Sequence, residues 1–166
     1  MNKNAAIFVA SRGDMTGNHL LDALRGLGYS NIVNDQTPQP DLLISDELNQ
    51  FFRHVNPEYV FVTAGKSGGI QANQEKPADL MIDNLQIACN VIESSYISGV
   101  KHLLYLASSC VYPRMAVQPM KPDMLMTGYL EQTNISYATA KLAGIELCRA
   151  YRRQHGVCYF AAIPAN

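Results

Sequence analysis

A chain of 166 residues, 48% hydrophobic and 16% charged, has the make-up of one globular domain spanning residues 1–166 and able to bury roughly 70% of its unfolded surface. Thirteen basic and fourteen acidic residues leave a net charge of −1, so no positive field is available for nucleic acid. The cysteines Cys89, Cys110, Cys148 and Cys158 lack metal-ligand spacing, the apolar start Ala5–Ala10 is too short for a secretory segment, and no run approaches a membrane span; a cytoplasmic protein with reduced thiols and no metal is expected.

Ala5-Ala6-Ile7-Phe8-Val9-Ala10 is continuously apolar, as in a buried parallel strand. The turn Ser11-Arg12-Gly13-Asp14-Met15-Thr16-Gly17 follows, and then Leu20, Leu21, Leu24 and Leu27 recur at helical spacing up to Gly28. Strand, glycine-bearing turn and helix open a dinucleotide-binding unit. Asn31-Ile32-Val33 reads as a short second strand and Thr37-Pro38-Gln39-Pro40 as a loop. A helix is predicted over Asp46–His54 with Ser45 as its N-cap. Tyr59–Val62 is the third strand, leading into Thr63-Ala64-Gly65-Lys66-Ser67-Gly68-Gly69.

A long helix is predicted from Pro77 towards Gly99, because proline suits the first turn. Its apolar residues occupy more than one stripe, which fits contact with both the sheet and a partner. His102–Ala107 is the fourth strand, with Ser108 at its end. The loop from Tyr112 to about Thr133 carries Met115, Met120, Met124 and Met126, read as gap-filling packing. A helix then runs through Tyr137 and Lys141 to about Arg153, and Tyr159–Ile163 is the fifth strand. The alternation gives an α/β fold, a doubly wound parallel sheet of the Rossmann type, with predicted order 3-2-1-4-5. The turns at Ser11–Gly17, Thr63–Gly69 and Ser108–Cys110 then converge at the carboxyl edge of the sheet, where such folds bind ligands.

Tyr137 and Lys141 are four apart on a helix and share a face. An ammonium beside a phenol lowers the phenol's pKa, and a tyrosine tuned in this way can exchange a proton with a carbinol or carbonyl oxygen. Ser108, at the end of a neighbouring strand, is placed to hydrogen-bond the same oxygen. Hydride transfer to or from a nicotinamide is the chemistry these three residues suit. Cys110, read from the residues alone, is a buried thiol behind a strand end.

Lys66-Ser67-Gly68-Gly69-Ile70-Gln71-Ala72-Asn73, Ser108-Ser109-Cys110-Val111-Tyr112-Pro113, Thr133-Asn134 and Tyr137-Ala138-Thr139-Ala140-Lys141-Leu142-Ala143-Gly144-Ile145 resemble the N-terminal half of the GDP-L-fucose synthase family. Those enzymes are epimerase/reductases among the extended short-chain dehydrogenases. The resemblance implies a catalytic set of Ser108, Tyr137 and Lys141, with Cys110 as an epimerisation acid/base. It implies NADP as cofactor, met by Ser11, Arg12, Gly13, Asp14, Met15, Gly17, Ala64, Lys66 and Lys141. It also implies a sugar-nucleotide substrate, and a homodimer formed through the helices near Pro77–Ser98 and Tyr137–Arg153. The family's C-terminal substrate domain, which supplies a second acid/base histidine, has no counterpart in these residues.

The glycine loop departs from the family pattern G-x-x-G-x-x-G. Ser11 and Asp14 stand at the first two glycines and only Gly17 is kept. A carboxylate at the second glycine faces the pyrophosphate; at ~4 Å and an effective dielectric of ~20, the repulsion between unit charges is about 4 kcal/mol. Gly13 and Thr37 align with the arginines that read the NADP 2′-phosphate, Arg12 is the neighbouring candidate, and Asp35 is the candidate for an NAD ribose. Two readings follow: a truncated epimerase/reductase with weakened cofactor binding, or a non-catalytic Rossmann-type binding or assembly module.

Overall fold

The computed structural model describes residues 1–164. In chain order its main elements are β1 (Ile7–Ala10), α1 (Met15–Gly26), α2 (Ser45–Val55), β2 (Tyr59–Val62), α3 (Ile70–Glu75), α4 (Pro77–Ile97), β3 (His102–Leu106), α5 (Ile135–His155) and β4 (Cys158–Ala162). The strands form one sheet in the order β1-β2-β3-β4, and every pairing is parallel. The doubly wound α/β reading holds, but the predicted order and strand count do not.

The expected second strand, Asn31–Val33, survives as a single parallel bridge, Ile7 to Ile32, on the outer side of β1. Tyr59–Val62 pairs directly with β1 instead. Counted with that bridge, the order is 2-1-3-4-5, the other common doubly wound arrangement. The order 3-2-1-4-5 would have made Asn31–Val33 an interior strand with ladders on both sides. Three residues followed closely by Pro38 and Pro40 cannot supply them.

Side-chain amides take over where this strand stops. Asn34 Oδ1 accepts from the Val9 N–H at 2.9 Å, and Asn34 Nδ2 donates to the Val9 carbonyl at 2.8 Å. Gln39 does the same two residues on: its Oε1 accepts from the Ser11 N–H at 3.0 Å, and its Nε2 donates to the Ser11 carbonyl. Two carboxamides therefore complete the outer edge of β1, which would otherwise leave polar groups unpaired.

The strand alternation divides the core. Phe8, Ala10, Val60, Val62, Leu103, Tyr105 and Tyr159 face α2, α4 and α5, where Phe51, Phe52, Ile87, Val91, Ile92, Ile145 and Cys148 are buried. Ile7 and Val9 face the other way, towards Leu20, Leu21 and Leu24 of α1. On that second face His102, Cys158 and Phe160 remain exposed. Tyr105 lies against α5 at Gly144, where an added Cβ would stand 2.4 Å from the ring; this glycine sets how closely α5 approaches the sheet.

The helix ends follow local chemistry. Pro77 opens α4 as expected, and α5 closes at Gly156 with φ of 68°. Helix α2 begins one residue earlier than predicted. Ser45 lies inside it, and Ile44 holds the cap position without a side-chain bond. Asp46 and Glu47 in the first turn favour that end through the helix dipole. Helix α3, to which the sequence reading assigned no element, starts after Gly69 and is held by Asn73 Nδ2, which donates to the carbonyls of Gly68 and Gly69. The methionine reading is corrected in part: Met115 is 85% and Met126 66% exposed, so these two do not fill core gaps.

Replacing Asn34 by alanine removes two backbone-directed hydrogen bonds from β1. At about 1 kcal/mol each, the fold should lose about 2 kcal/mol. A lowered urea midpoint with an unchanged slope will show it.

Candidate active site

The first loop leaves β1 at Ala10 and turns through Gly13, whose φ of 73° is open to glycine at little cost. The turn brings Asp14 back over the start of α1 as its N-cap. Asp14 Oδ1 accepts from the Gly17 N–H at 2.7 Å, and Oδ2 accepts from the Arg12 N–H at 3.3 Å and from Thr63 Oγ1 at 3.4 Å. Ser11 Oγ accepts from the Gly13 N–H at 3.2 Å. Gly17 is required by contact: a Cβ there would lie 2.5 Å from Ser11 Cβ and 2.9 Å from Thr63 Oγ1. Arg12 and Met15 are exposed. Arg25 holds Asp35, the ribose candidate, with its Nη2 at 2.5 Å, so that carboxylate is committed to α1 and its pKa is lowered by the hydrogen bond.

Across the crevice, Lys141 is 3% exposed. Its Nζ donates to the Leu106 carbonyl at 3.2 Å and the Ala64 carbonyl at 3.4 Å, where β3 and β2 end. The ammonium also stands 5.1 Å from the centre of the Tyr105 ring. Burial lowers its pKa to about 8, and the Asp14 carboxylate opposes that shift. Gly65 admits this arrangement, since a Cβ there would be 2.8 Å from Asn84 Oδ1 and 2.9 Å from Lys141 Nζ. Asn84 Oδ1 is buried without a partner, while Asn84 Nδ2 donates to the carbonyls of Leu80 and Lys66. The Lys66 side chain pairs with Asp83 at 2.8 Å.

Tyr137, one turn before Lys141 on α5, is half-buried. Burial raises its pKa and the neighbouring Ser108 hydroxyl opposes the rise. The Lys141 ammonium makes its hydrogen bonds to the Ala64 and Leu106 carbonyls. Ser108 Oγ also accepts from the Cys110 N–H at 3.4 Å, capping the short turn Ser109–Val111. Cys110 is half-buried, and Asn134 Nδ2 donates to its Sγ at 3.1 Å. Cys110 and Asn134 open on a cleft of about 290 Å³ with Tyr112, Arg114, Gln118 and Glu131 around it. Cys148, by contrast, is buried in the core, with its thiol pushed up to about 12.

The fold therefore brings Ser108, Cys110, Tyr137 and Lys141 together at the carboxyl edge, facing the loop of Ser11–Gly17. The sequence profile of the NAD dependent epimerase/dehydratase family matches residues 12–166. The chain belongs to that family. It is 44% identical to GDP-L-fucose synthase 1 of Arabidopsis thaliana over 165 residues, covering 99% of this chain and 51% of the relative. It is 44% identical to GDP-L-fucose synthase of Sinorhizobium fredii over 160 residues, covering 96% and 51% respectively. The structure of MlghC, a GDP-mannoheptose C4 reductase from Campylobacter jejuni with NADP bound, superposes with a TM-score of 0.90 at 33% identity, over 98% of this chain and 52% of that one. The chain thus spans about half the length of the relatives it matches.

A dinucleotide fits this family member unevenly. The buried Lys141, the partnerless Asn84 Oδ1 and the bare Cα of Gly65 suit the ribose end. At the other end, the loop amides of Arg12, Gly13 and Gly17 are bonded to Asp14 and Ser11, while those of Asp14, Met15 and Thr16 have no partner. Sequence reasoning gave no role to Thr63, Gln39 or Asn84, because each meets a partner far along the chain that only the fold brings near.

The depressed Lys141 pKa has a definite sign in stability. Between about pH 8 and its ordinary value of 10.5, the unfolded chain holds a proton that the folded chain lacks, so stability from this group rises with pH. The stability difference, wild type minus Lys141→Met, should climb by roughly 3 kcal/mol across that window. Denaturant titrations of both proteins at the two ends of the window will measure it.

Proposed function

We propose that residues 1–166 form the dinucleotide-binding, proton-donating half of a nucleotide-sugar epimerase/reductase of the GDP-L-fucose synthase type. The reaction is reduction of a 4-keto-6-deoxy sugar nucleotide with NADPH. The placing of Ser108 and Tyr137 together beside the buried Lys141 carries this reading, supported by relatives named as GDP-L-fucose synthases and a GDP-mannoheptose C4 reductase. Bound NADPH would supply the hydride to the carbonyl carbon. Tyr137, whose pKa burial raises further above neutral, passes its proton to the C4 oxygen, and Ser108 holds that oxygen by a hydrogen bond. Lys141 places positive charge beside the two strand ends. Cys110, fixed by Asn134, exchanges protons at the carbons next to the keto group. Epimerisation needs a proton removed on one face and returned on the other, so it requires a second acid/base from a substrate domain.

With NADPH and GDP-4-keto-6-deoxymannose, residues 1–166 should show slow NADPH oxidation, little epimerised product, and a loss of about a hundredfold or more in rate on Tyr137→Phe. Turnover unchanged by that substitution would remove Tyr137 from its role; efficient formation of GDP-fucose would show that no second domain is needed. A second reading, a non-catalytic Rossmann-type module, is favoured by the bonded loop amides. It predicts no turnover and no thermal shift with NADPH or NADH.

The same reading includes a homodimer through α4 and α5, and a cytoplasmic location. Helix α4 leaves Ile82 53% exposed and Cys89 exposed, on the side away from the sheet. Among the described residues no helix is long and apolar enough to cross a membrane. Light scattering at micromolar concentration should give twice the chain mass of 18.3 kDa, with the isologous contact weakened by Ile82→Asp.

A further inference from the structure

We propose that Asn134 is a positioning residue for Cys110, whose side-chain amide serves the sulfur in both of its protonation states, so that one thiol can take a proton from carbon and return it. The inference rests on the reading of Cys110 as an acid/base for the carbons beside the keto group, and adds what holds its sulfur and supports its charge.

Asn134 occupies the N-cap position of α5. Asparagine is among the best residues there, because its side-chain oxygen accepts from a backbone N–H of the first turn. This asparagine makes no such bond. Its Nδ2 donates instead to Cys110 Sγ at 3.1 Å, across 24 residues of chain, and its Oδ1 is buried without a partner. The Cys110 backbone N–H is held separately, by Ser108 Oγ at 3.4 Å. The main chain of the cysteine and its sulfur are therefore anchored by different residues, and the cap of a helix has been forgone to reach the sulfur.

The titratable groups around Cys110 leave this task to the amide. Tyr137, on α5, has its pKa raised by burial and further by the charge of Cys110, so it stays a neutral neighbour. Arg114 and Glu131 line the same cleft but pair with each other at 3.2 Å. Tyr112 is the remaining phenol there. Among the described residues Asn134 Nδ2 is the side-chain donor on the sulfur.

A donor favours the thiolate and an acceptor favours the thiol, and an amide carries both on one planar group. With Nδ2 on the sulfur, the thiolate takes the proton from the carbon beside the keto group. The C–H electron pair moves into the carbonyl as an enolate, and an S–H bond forms. Half a turn of the amide then offers Oδ1 to the new S–H. Neither amide atom holds any other partner, so this turn breaks only the bond to sulfur. When the enolate carbon takes the proton back, the amide returns.

Donor and cap are separable by substitution. Aspartate caps a helix as well as asparagine does, but it accepts only and brings a like charge to a thiolate. Alanine removes both donor and acceptor. The experiment is alkylation of the full chain by iodoacetamide across pH 6–10, with Cys110 followed by peptide mass spectrometry in wild type, Asn134→Asp and Asn134→Ala, and with thermal unfolding of each. The midpoint of the Cys110 profile should rise in both variants, and further in Asn134→Asp, by about one pH unit or more, which is about tenfold in rate near neutrality. Cys89 and Cys158 should keep their midpoints, and Asn134→Asp should melt no lower than wild type. A Cys110 midpoint unmoved in Asn134→Asp would reduce Asn134 to a structural residue and overturn the proposal. A Cys110 that stays unmodified at every pH in wild type would overturn it as well. Shifted midpoints without deuterium exchange beside the keto group of GDP-4-keto-6-deoxymannose would support the hold on sulfur and count against the catalytic reading alone.

Discussion

Where a parallel sheet stops, its last peptide groups lose their strand partners, and each must find another away from water. Nearly every feature of this crevice answers that demand. Lys141 meets the carbonyls at the ends of β2 and β3. Asn34 and Gln39 meet the outer side of β1. Asp14 and Ser11 meet the amides of the loop that follows it. The groups that could serve a ligand are the same groups that keep the sheet edge satisfied, and so stability and binding compete for the same atoms.

Lys141 shows that competition most clearly. Its ammonium is buried, and burial alone would drive it neutral. Two carbonyls, the face of Tyr105 and the field of Asp14 hold it charged over part of the pH range. Tyr137 shares its helix; burial raises the phenol's pKa and Ser108 opposes the rise.

The relation to the relatives is equally physical. The match runs over nearly all of this chain and about half of theirs. Against the glycine pattern that the sequence resembles, Ser11 and Asp14 stand where two glycines were expected, and their side chains bond the amides of Arg12, Gly13 and Gly17.

The sequence by itself determined the class of fold, the buried strands at Ile7–Ala10, Tyr59–Val62 and His102–Leu106, the start of α4 at Pro77, and the set Ser108, Cys110, Tyr137 and Lys141. These are legible because continuous apolar runs, proline and four-residue helical spacing act locally. The tertiary structure alone decided that Asn31–Val33 is a bridge rather than an interior strand, that Met115 and Met126 face solvent, and that Lys141 meets the carbonyls at two strand ends. It also decided that Asp14 caps the loop it was expected only to repel from. Each of these depends on which backbone groups are left unpaired once the sheet is assembled, and that quantity has no value until distant segments meet.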